Sequence, residues 1–324
     1  MNVQLLKTGY FNMVQSRYCQ KKLLDYGIGM YTEIAEEAIT AGLIPALDPE
    51  DIVACYFRGE GSTLRYKGGI TLREQMCCWM GRLGEEGYIN ASLPSAWTDV
   101  EHGVIGTSSS LIGGDADVAV GVALAQKKLK SGKIVAFISG DGATSKGNFH
   151  EMCNWSGRFN LPLLIIVRGN KWAMSTMVEN NTHVTSIEDM VRPFGLKTWH
   201  CTGNDIEKVY ETVSEAADYV RHTGPALVYM DTYRVSGHSA HDEDDYRDPA
   251  VKAEWLKNND PIVNAEASLK KAGVSEEEIA ALNAQAKKEV DEAYDWALTR
   301  PEITVKQFLD KQEEVVRQMW GQEG

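Results

Sequence analysis

Over the first 45 positions apolar residues recur at helical spacing, through Leu5, Phe11, Val14 and Leu23, until Asp25-Tyr26-Gly27-Ile28-Gly29 breaks the pattern. A second helix is predicted over 32–41. Asp48 with Pro49 behind it has the form of a capping residue followed by a first-turn proline, which predicts a helix start at 48–51. Positions 82–115 are irregular and rich in Gly and Ser, a stretch long enough to be a working loop. From Lys133 onward the rhythm changes. Residues 134–139 form an apolar run suited to a parallel strand covered on both faces, and 161–167 and 225–231 repeat it. Between these runs lie helical patterns over 148–159, 187–194 and 204–223, the last capped by Asn204 or Asp205, and a short strand at 197–200. Strand alternating with helix predicts an α/β protein built on a doubly wound parallel sheet. An acidic polar loop leads to Pro249, and 251–324 read as charged helices with Phe308, Leu309, Val315, Val316, Met319 and Trp320 near the end.

Composition narrows the picture. A chain of 324 residues with 43% hydrophobic and 9% aromatic content can bury a sizeable core, which excludes disordered, collagenous and small disulfide-stapled classes. The expected organisation is one unit over 1–262 with a helical C-terminal extension over 263–324. Thirty-three Lys+Arg against 46 Asp+Glu give a formal charge of −13, the wrong sign for a nucleic-acid or anionic-membrane partner. The longest apolar runs have strand length and are too short to span a bilayer. Polar residues among the first twenty leave no signal-peptide core, and the six cysteines show no C-x-x-C pair. Reduced thiols and a cytoplasmic location are therefore expected.

Candidate chemistry sits where strands end. Asp141 and Asn170 each stand just past an apolar run, 29 positions apart, the length of one crossover helix and strand. In an open parallel sheet such ends form the ligand crevice. A carboxylate with an amide oxygen is a hard-oxygen pair suited to Mg²⁺ or Ca²⁺ that keeps places for phosphate oxygens. Gly140, Gly142 and Gly169 are expected to admit a bulky polyanion near the backbone, and the helix start after Gly142 favours the same charge. Taken singly, Gly-Asp-Gly and an Asn after a strand are ordinary turn features. Neither G-x-G-x-x-G nor a P-loop occurs, which demotes nicotinamide dehydrogenase and ATPase readings.

The run Gly140-Asp141-Gly142-Ala-Thr-Ser-Lys-Gly-Asn-Phe-His-Glu, with Arg168-Gly169-Asn170-Lys171-Trp172-Ala-Met-Ser-Thr after the gap, resembles the thiamine diphosphate motif. More narrowly, the chain resembles the alpha subunit of the decarboxylating component of 2-oxo acid dehydrogenase complexes. Gly224-Pro225 through Tyr233-Arg234-Val-Ser-Gly237-His238-Ser239, with Tyr246-Arg247 downstream, carries the same likeness, which covers about 5–262. The resemblance implies a thiamine diphosphate-binding sheet with helical extensions at both ends. It implies that Asp141, Asn170 and the main-chain carbonyl of Trp172 hold Mg²⁺ together with diphosphate oxygens. Gly142 and Ala143 follow Asp141 in the cofactor-binding set. Phe57 and Arg58 match a Tyr-Arg pair, and Arg58 and Arg168 would meet the diphosphate, a task suited to guanidinium. Ser110 and the backbone of Ile112 match positions beside the aminopyrimidine. His238 lies on the loop over the cofactor, as the catalytic residue that assists proton transfer.

The implied partners are a beta subunit in an α₂β₂ heterotetramer, whose glutamate activates the pyrimidine, a lipoyl-bearing acyltransferase core and a small 2-oxo acid. Such a chain alone would have little activity. Arg168 and Asn-x-Trp-Ala-Met-Ser lean towards branched-chain members. Three departures stand out: Gly169 replaces the first Asn of the usual pair, Phe57 lacks a tyrosine hydroxyl, and Glu60 replaces His. Acetoin cleavage, a split transketolase half and an inactive assembly subunit stay open as other readings.

Overall fold

The apolar runs become the middle of one parallel sheet. A computed structural model describes residues 1–85, 98–106, 111–184 and 186–320. Helix α1 (Val3–Tyr26) is capped by the Asn2 side chain, which accepts from the Leu5 amide, and stops at Gly27 with φ 97°. Helix α2 (Glu37–Leu43) and a 3-10 turn lead to strand β1 (Ile52–Ala54). Helices α3 (Glu60–Tyr66) and α4 (Leu72–Trp79), strand β2 (Val104–Ile105) and helix α5 (Asp115–Leu129) come next. Strand β3 (Val135–Gly140), helix α6 (Gly147–Phe159) and strand β4 (Leu163–Gly169) form the crossover that the sequence pattern predicts. A hairpin of β5 (Trp172–Ala173) and β6 (Thr176–Met177) precedes α7 (Ile187–Val191), β7 (Lys197–Thr202), α8 (Ile206–His222) and β8 (Ala226–Asp231). Four helices close the chain: α9 (Pro249–Asn259), α10 (Pro261–Lys271), α11 (Glu276–Leu298) and α12 (Val305–Trp320).

The six-stranded order is β2-β1-β3-β4-β8-β7, every neighbouring pair parallel. After β1 the chain goes to one side for β2 and to the other for β3, so a topological switch point lies between β1 and β3. Alternating strand residues feed two cores. Val53, Ala136, Ile138, Leu164, Ile166 and Val228 pack towards α1, α4, α8 and α11. Ala54, Val135, Phe137, Leu163, Ile165 and Val167 pack towards α5 and α6. Both faces of β3 and β4 are buried, which explains their unbroken apolar runs. Residues Val290, Ala293 and Ala297 of α11 enter the first core, and Ala265 and Leu269 of α10 pack on Leu6 and Tyr10 of α1.

Some local expectations are corrected. The second helix starts at Glu37, not at position 32, because residues before it turn to serve other contacts. Ala35 has φ 70°, and the Glu33 amide donates to Gln20 Oε1 at 2.8 Å. No helix starts at 48–51. Asp51 is fully buried at the entrance to β1, accepting from the amides of Asp48 at 3.0 Å and Ile134 at 2.9 Å. Of the alternative caps for α8, Asp205 is the one used, accepting from Glu207 and Lys208. Strands β1, β2 and the β5–β6 hairpin, each two or three residues long, have no counterpart in the sequence reading.

Candidate functional site

At the carboxyl end of the sheet Gly140 of β3 pairs with Arg168 of β4, which sets the two following loops side by side. Asp141 opens a 3-10 turn after β3 and is 2% exposed. Its Oδ2 accepts from the Lys171 amide at 2.7 Å, a direct link between the two loops, while its buried Oδ1 has no hydrogen-bond partner. Burial pushes the Asp141 carboxyl up to about 7, Glu36 adding to the shift and the Lys171 amide opposing it. Asn170, also buried, donates from Nδ2 to Glu36 Oε1 and accepts at Oδ1 from the Trp172 amide, both at 3.3 Å. A carboxylate can only accept, so Glu36 dictates which way the Asn170 amide faces.

Glu36 escaped the sequence reading. It is 1% exposed, and its Oε2 lies 3.8 Å from Arg168 NH1 without a hydrogen bond. Arg168 is fully buried, donates from NH2 to Thr40 Oγ1 at 2.7 Å and lies 3.7 Å from Glu33 Oε2. Its Nε and NH1 have no hydrogen-bond partner. In the sequence Glu36 lies inside the helix expected over 32–41, where a glutamate ordinarily faces water.

Arg58 leaves the switch point after β1 and is 2% exposed. It donates from NH1 to the Thr32 carbonyl at 2.8 Å and from NH2 to the His238 carbonyl at 2.7 Å, and its Nε is unpartnered. Phe57 packs on Tyr56 with ring centroids 4.2 Å apart and on Tyr31 at 4.8 Å. Ile112 is partly exposed and lines a crevice with Tyr56, Phe57 and Ser139. Ser110 lies outside the described residues.

Three glycines at these strand ends also make close approaches within the protein. A Cβ at Gly142 would stand 2.7 Å from Ala173 Cβ, so this glycine lets the β5 backbone close over the Asp141–Ala143 turn. A Cβ at Gly169 would enter the Tyr229 ring, and a Cβ at Gly140 would lie 2.7 Å from the Tyr56 hydroxyl.

His238 sits on the loop after β8, partly buried, its ring centroid 5.2 Å from that of Tyr31. Burial, with Arg58 and Arg234 adding, holds its imidazole down at about 4, so it is neutral at pH 7. Tyr233-Arg234 and Tyr246-Arg247, noted as motif residues without roles, build this loop. Arg234 donates its amide to the Asn170 carbonyl at 3.2 Å and its NH2 to the Met174 carbonyl at 2.8 Å. Arg247 pairs with Asp244 and donates to the carbonyls of Arg234 and Ser236. Burial alone would raise Asp242, yet hydrogen bonds from Tyr246 and the amides of His238 and Asp244 hold it at about 2. The acidic run is thus spent on internal contacts by Asp242 and Asp244.

The donor set fits a cation with a polyanion. A buried carboxylate with one bare oxygen calls for positive charge, and the amide oxygen of Asn170 is a hard donor beside it. Bare guanidinium nitrogens on Arg58 and Arg168 are donors without acceptors. Among the described residues no group of three or more His, Cys, Asp and Glu side chains is arranged to hold a metal. Further ligands would have to come from backbone oxygen and from the bound group. Among the described residues no helix is long and apolar enough to cross a membrane.

Residues 12–306 match the family model described as the dehydrogenase E1 component. The chain is similar to the pyruvate dehydrogenase E1 component subunit alpha of Zymomonas mobilis, 29% identical over 283 residues, covering 85% of this chain and 79% of the relative. It is 30% identical over 247 residues to the 2-oxoisovalerate dehydrogenase subunit alpha of Bacillus subtilis, covering 75% and 74%. The pyruvate dehydrogenase E1 component subunit alpha of Acholeplasma laidlawii is 30% identical over 279 residues, covering 85% and 76%.

Proposed function

The chain belongs to the dehydrogenase E1 component family, and from that premise we propose that it is the alpha subunit of a heteromeric, thiamine diphosphate-dependent 2-oxo acid dehydrogenase. The observation that carries the reading is that Asp141 and Asn170 follow the paired ends of β3 and β4, their loops joined by the Lys171 amide on Asp141 Oδ2, with Asp141 Oδ1 bare in a buried site. In this reading Asp141, Asn170 Oδ1 and the Trp172 carbonyl hold Mg²⁺, and the backbone of Gly142 and Ala143 lies next to the diphosphate. Arg58, with its unpartnered Nε, and Arg168 supply positive charge. When bound, thiamine diphosphate supplies the carbon nucleophile and electron sink for decarboxylation of a 2-oxo acid and passage of the acyl group to a lipoyl carrier.

The chain's own residues bind, orient and manage one proton. His238 Nδ1 faces Arg58 NH2 at 3.5 Å, and a guanidinium can only donate, so the neutral ring keeps its proton on Nε2. Nε2–H is thereby a donor for a substrate oxygen, with Arg58 and Arg234 opposing a full positive charge on the ring. Phe57, Tyr31 and Tyr56 give this corner an apolar wall that limits water. Arg58 ties the 32–36 turn to the His238 loop through the carbonyls of Thr32 and His238.

The remaining parts of the reading are an α₂β₂ assembly, a lipoyl-bearing acyltransferase core as acyl acceptor, and 1–262 as the cofactor-binding unit with 263–324 as its extension. The test is co-expression with a transketolase-like beta chain and assay of the purified assembly with pyruvate, 3-methyl-2-oxobutanoate and acetoin. Oxidation of a 2-oxo acid that needs both chains, Mg²⁺ and thiamine diphosphate is the expected result. Turnover by the alpha chain alone overturns the division of labour, and an assembly that takes up no thiamine diphosphate overturns the reading.

A further inference from the structure

Between Asn170 and Trp172 stands Lys171, whose φ of 72° is left-handed backbone that a residue with a Cβ disfavours. Its amide donates to Asp141 Oδ2 at 2.7 Å, so this unusual turn joins the loop after β4 to the loop after β3. The side chain runs the opposite way. Its Nζ makes an ion pair with Asp231 Oδ1 and lies 5.5 Å from the Tyr229 ring centroid. Asp231 ends β8 in register with Gly169 of β4, and its Oδ2 is held by His200 Nε2 from β7. Two strands, β8 and β7, therefore meet at the half-exposed tip of one lysine whose backbone touches a proposed ligand.

We propose that Lys171 and Asp231 are positioning residues for the cation site. The ion pair at the end of β8 holds Lys171 in left-handed backbone, and that backbone aims its amide at Asp141 Oδ2, leaving Oδ1 for the metal. The inference rests on the reading of Asp141 and Asn170 as ligands. Electrostatics alone makes the opposite statement about Lys171, since an ammonium near a cation site weakens binding there. Removing the side chain separates the two accounts by sign.

The test uses Lys171→Ala, Lys171→Gly and Asp231→Asn in the alpha chain assembled with its beta partner. Mn²⁺ is titrated in the presence of thiamine diphosphate and read by electron paramagnetic resonance. Hydrogen exchange of the Lys171 amide is measured on the ligand-free protein. Lys171→Ala and Asp231→Asn are expected to bind Mn²⁺ about 10–100-fold more weakly and to exchange that amide faster. Lys171→Gly stays within a few-fold of wild type, because glycine takes left-handed backbone without the Cβ clash. Mn²⁺ binding by Lys171→Ala as tight as wild type or tighter overturns the inference, and so does Lys171→Gly falling as far as Lys171→Ala. A wild-type assembly that binds no Mn²⁺ overturns the ligand reading instead, while the exchange rates still judge the positioning.

Discussion

Two buried aspartates at opposite ends of the sheet show what distinguishes a structural carboxylate from a binding one. Asp51, at the amino end, has both oxygens taken. Oδ1 accepts from the Ile134 amide at 2.9 Å and Arg221 NH1 at 3.1 Å, and Oδ2 from the Asp48 amide at 3.0 Å and Arg221 NH2 at 2.6 Å. Asp141, at the carboxyl end, is as deeply buried and has one oxygen bare. Asp51 completes its charge within the chain and ties β1 to β3 and α8. Asp141 is left incomplete, with Glu36 nearby raising the cost of its charge. Burial alone therefore does not mark function; the partner left out does.

The largest expected effect breaks the first half of this pair. Asp51→Ala leaves the Ile134 and Asp48 amides without their acceptor, while Arg221 keeps Asp48 and the Gly132 carbonyl. Urea unfolding should show a loss of about 3–5 kcal/mol with turnover per folded molecule kept. Asp141→Asn should do the reverse, cutting turnover on the order of 10³-fold, about 4 kcal/mol of transition-state stabilisation. The same substitution should leave the cation-free protein as stable as before or up to about 2 kcal/mol more stable, since it removes an incompletely paired buried charge. Equal stability losses for the two variants would erase the distinction.

His238→Ala probes the loop above the site. Turnover should fall by about 10²–10³-fold with Mn²⁺ affinity kept; near-normal kinetics would remove His238 from the reaction. A smaller effect is linkage: Mg²⁺ with thiamine diphosphate at a hundred times its Kd should stabilise the assembled wild type by about 2.7 kcal/mol. Asp141→Asn should lose that gain and Asp51→Ala keep it, as measured by urea midpoints with and without a chelator.

The smallest effect is a pH dependence of the loop. Burial holds His238 at about 4 in the packed loop, against 6.5 for the free side chain. The locally unfolded loop then binds more protons below 6.5, so the packed loop is fully favoured above pH 6.5 and loses stability as pH falls towards 4. Limited proteolysis of 232–246 should be constant above pH 6.5 and rise below it, and His238→Gln should flatten that rise. Asp242, held at about 2 against 3.8, adds a separate loss only below about pH 4.

The central strands were legible along their length because they are covered on both faces, whereas the half-exposed edge strand β7 was legible only in part, at 197–200. Residues 134–139 and 161–167 are unbroken apolar runs because β3 and β4 lie at the centre of the sheet, and their polar end residues gave Asp141 and Asn170. Strand β1 escaped because three residues carry no period. Asp48-Pro49 misled because the same letters serve a helix cap and a buried strand entrance. Arg221, 170 positions away from Asp51, decides between them. Glu36 and Thr40 were illegible as site residues, since their roles come from Arg168 and Asn170 far along the chain.

By itself the sequence determined the alternation of elements, the parallel sheet, and the two polar residues at its carboxyl edge, because burial on both faces and the 29-position crossover are local statements written in consecutive letters. Only the tertiary structure decided which oxygen of Asp141 is bare, which way the Asn170 amide turns, and that Gly142 and Gly169 admit Ala173 and Tyr229. Those outcomes depend on which distant donors and acceptors meet in a buried space, and hydrogen-bond saturation there is settled by proximity in three dimensions, not by order along the chain.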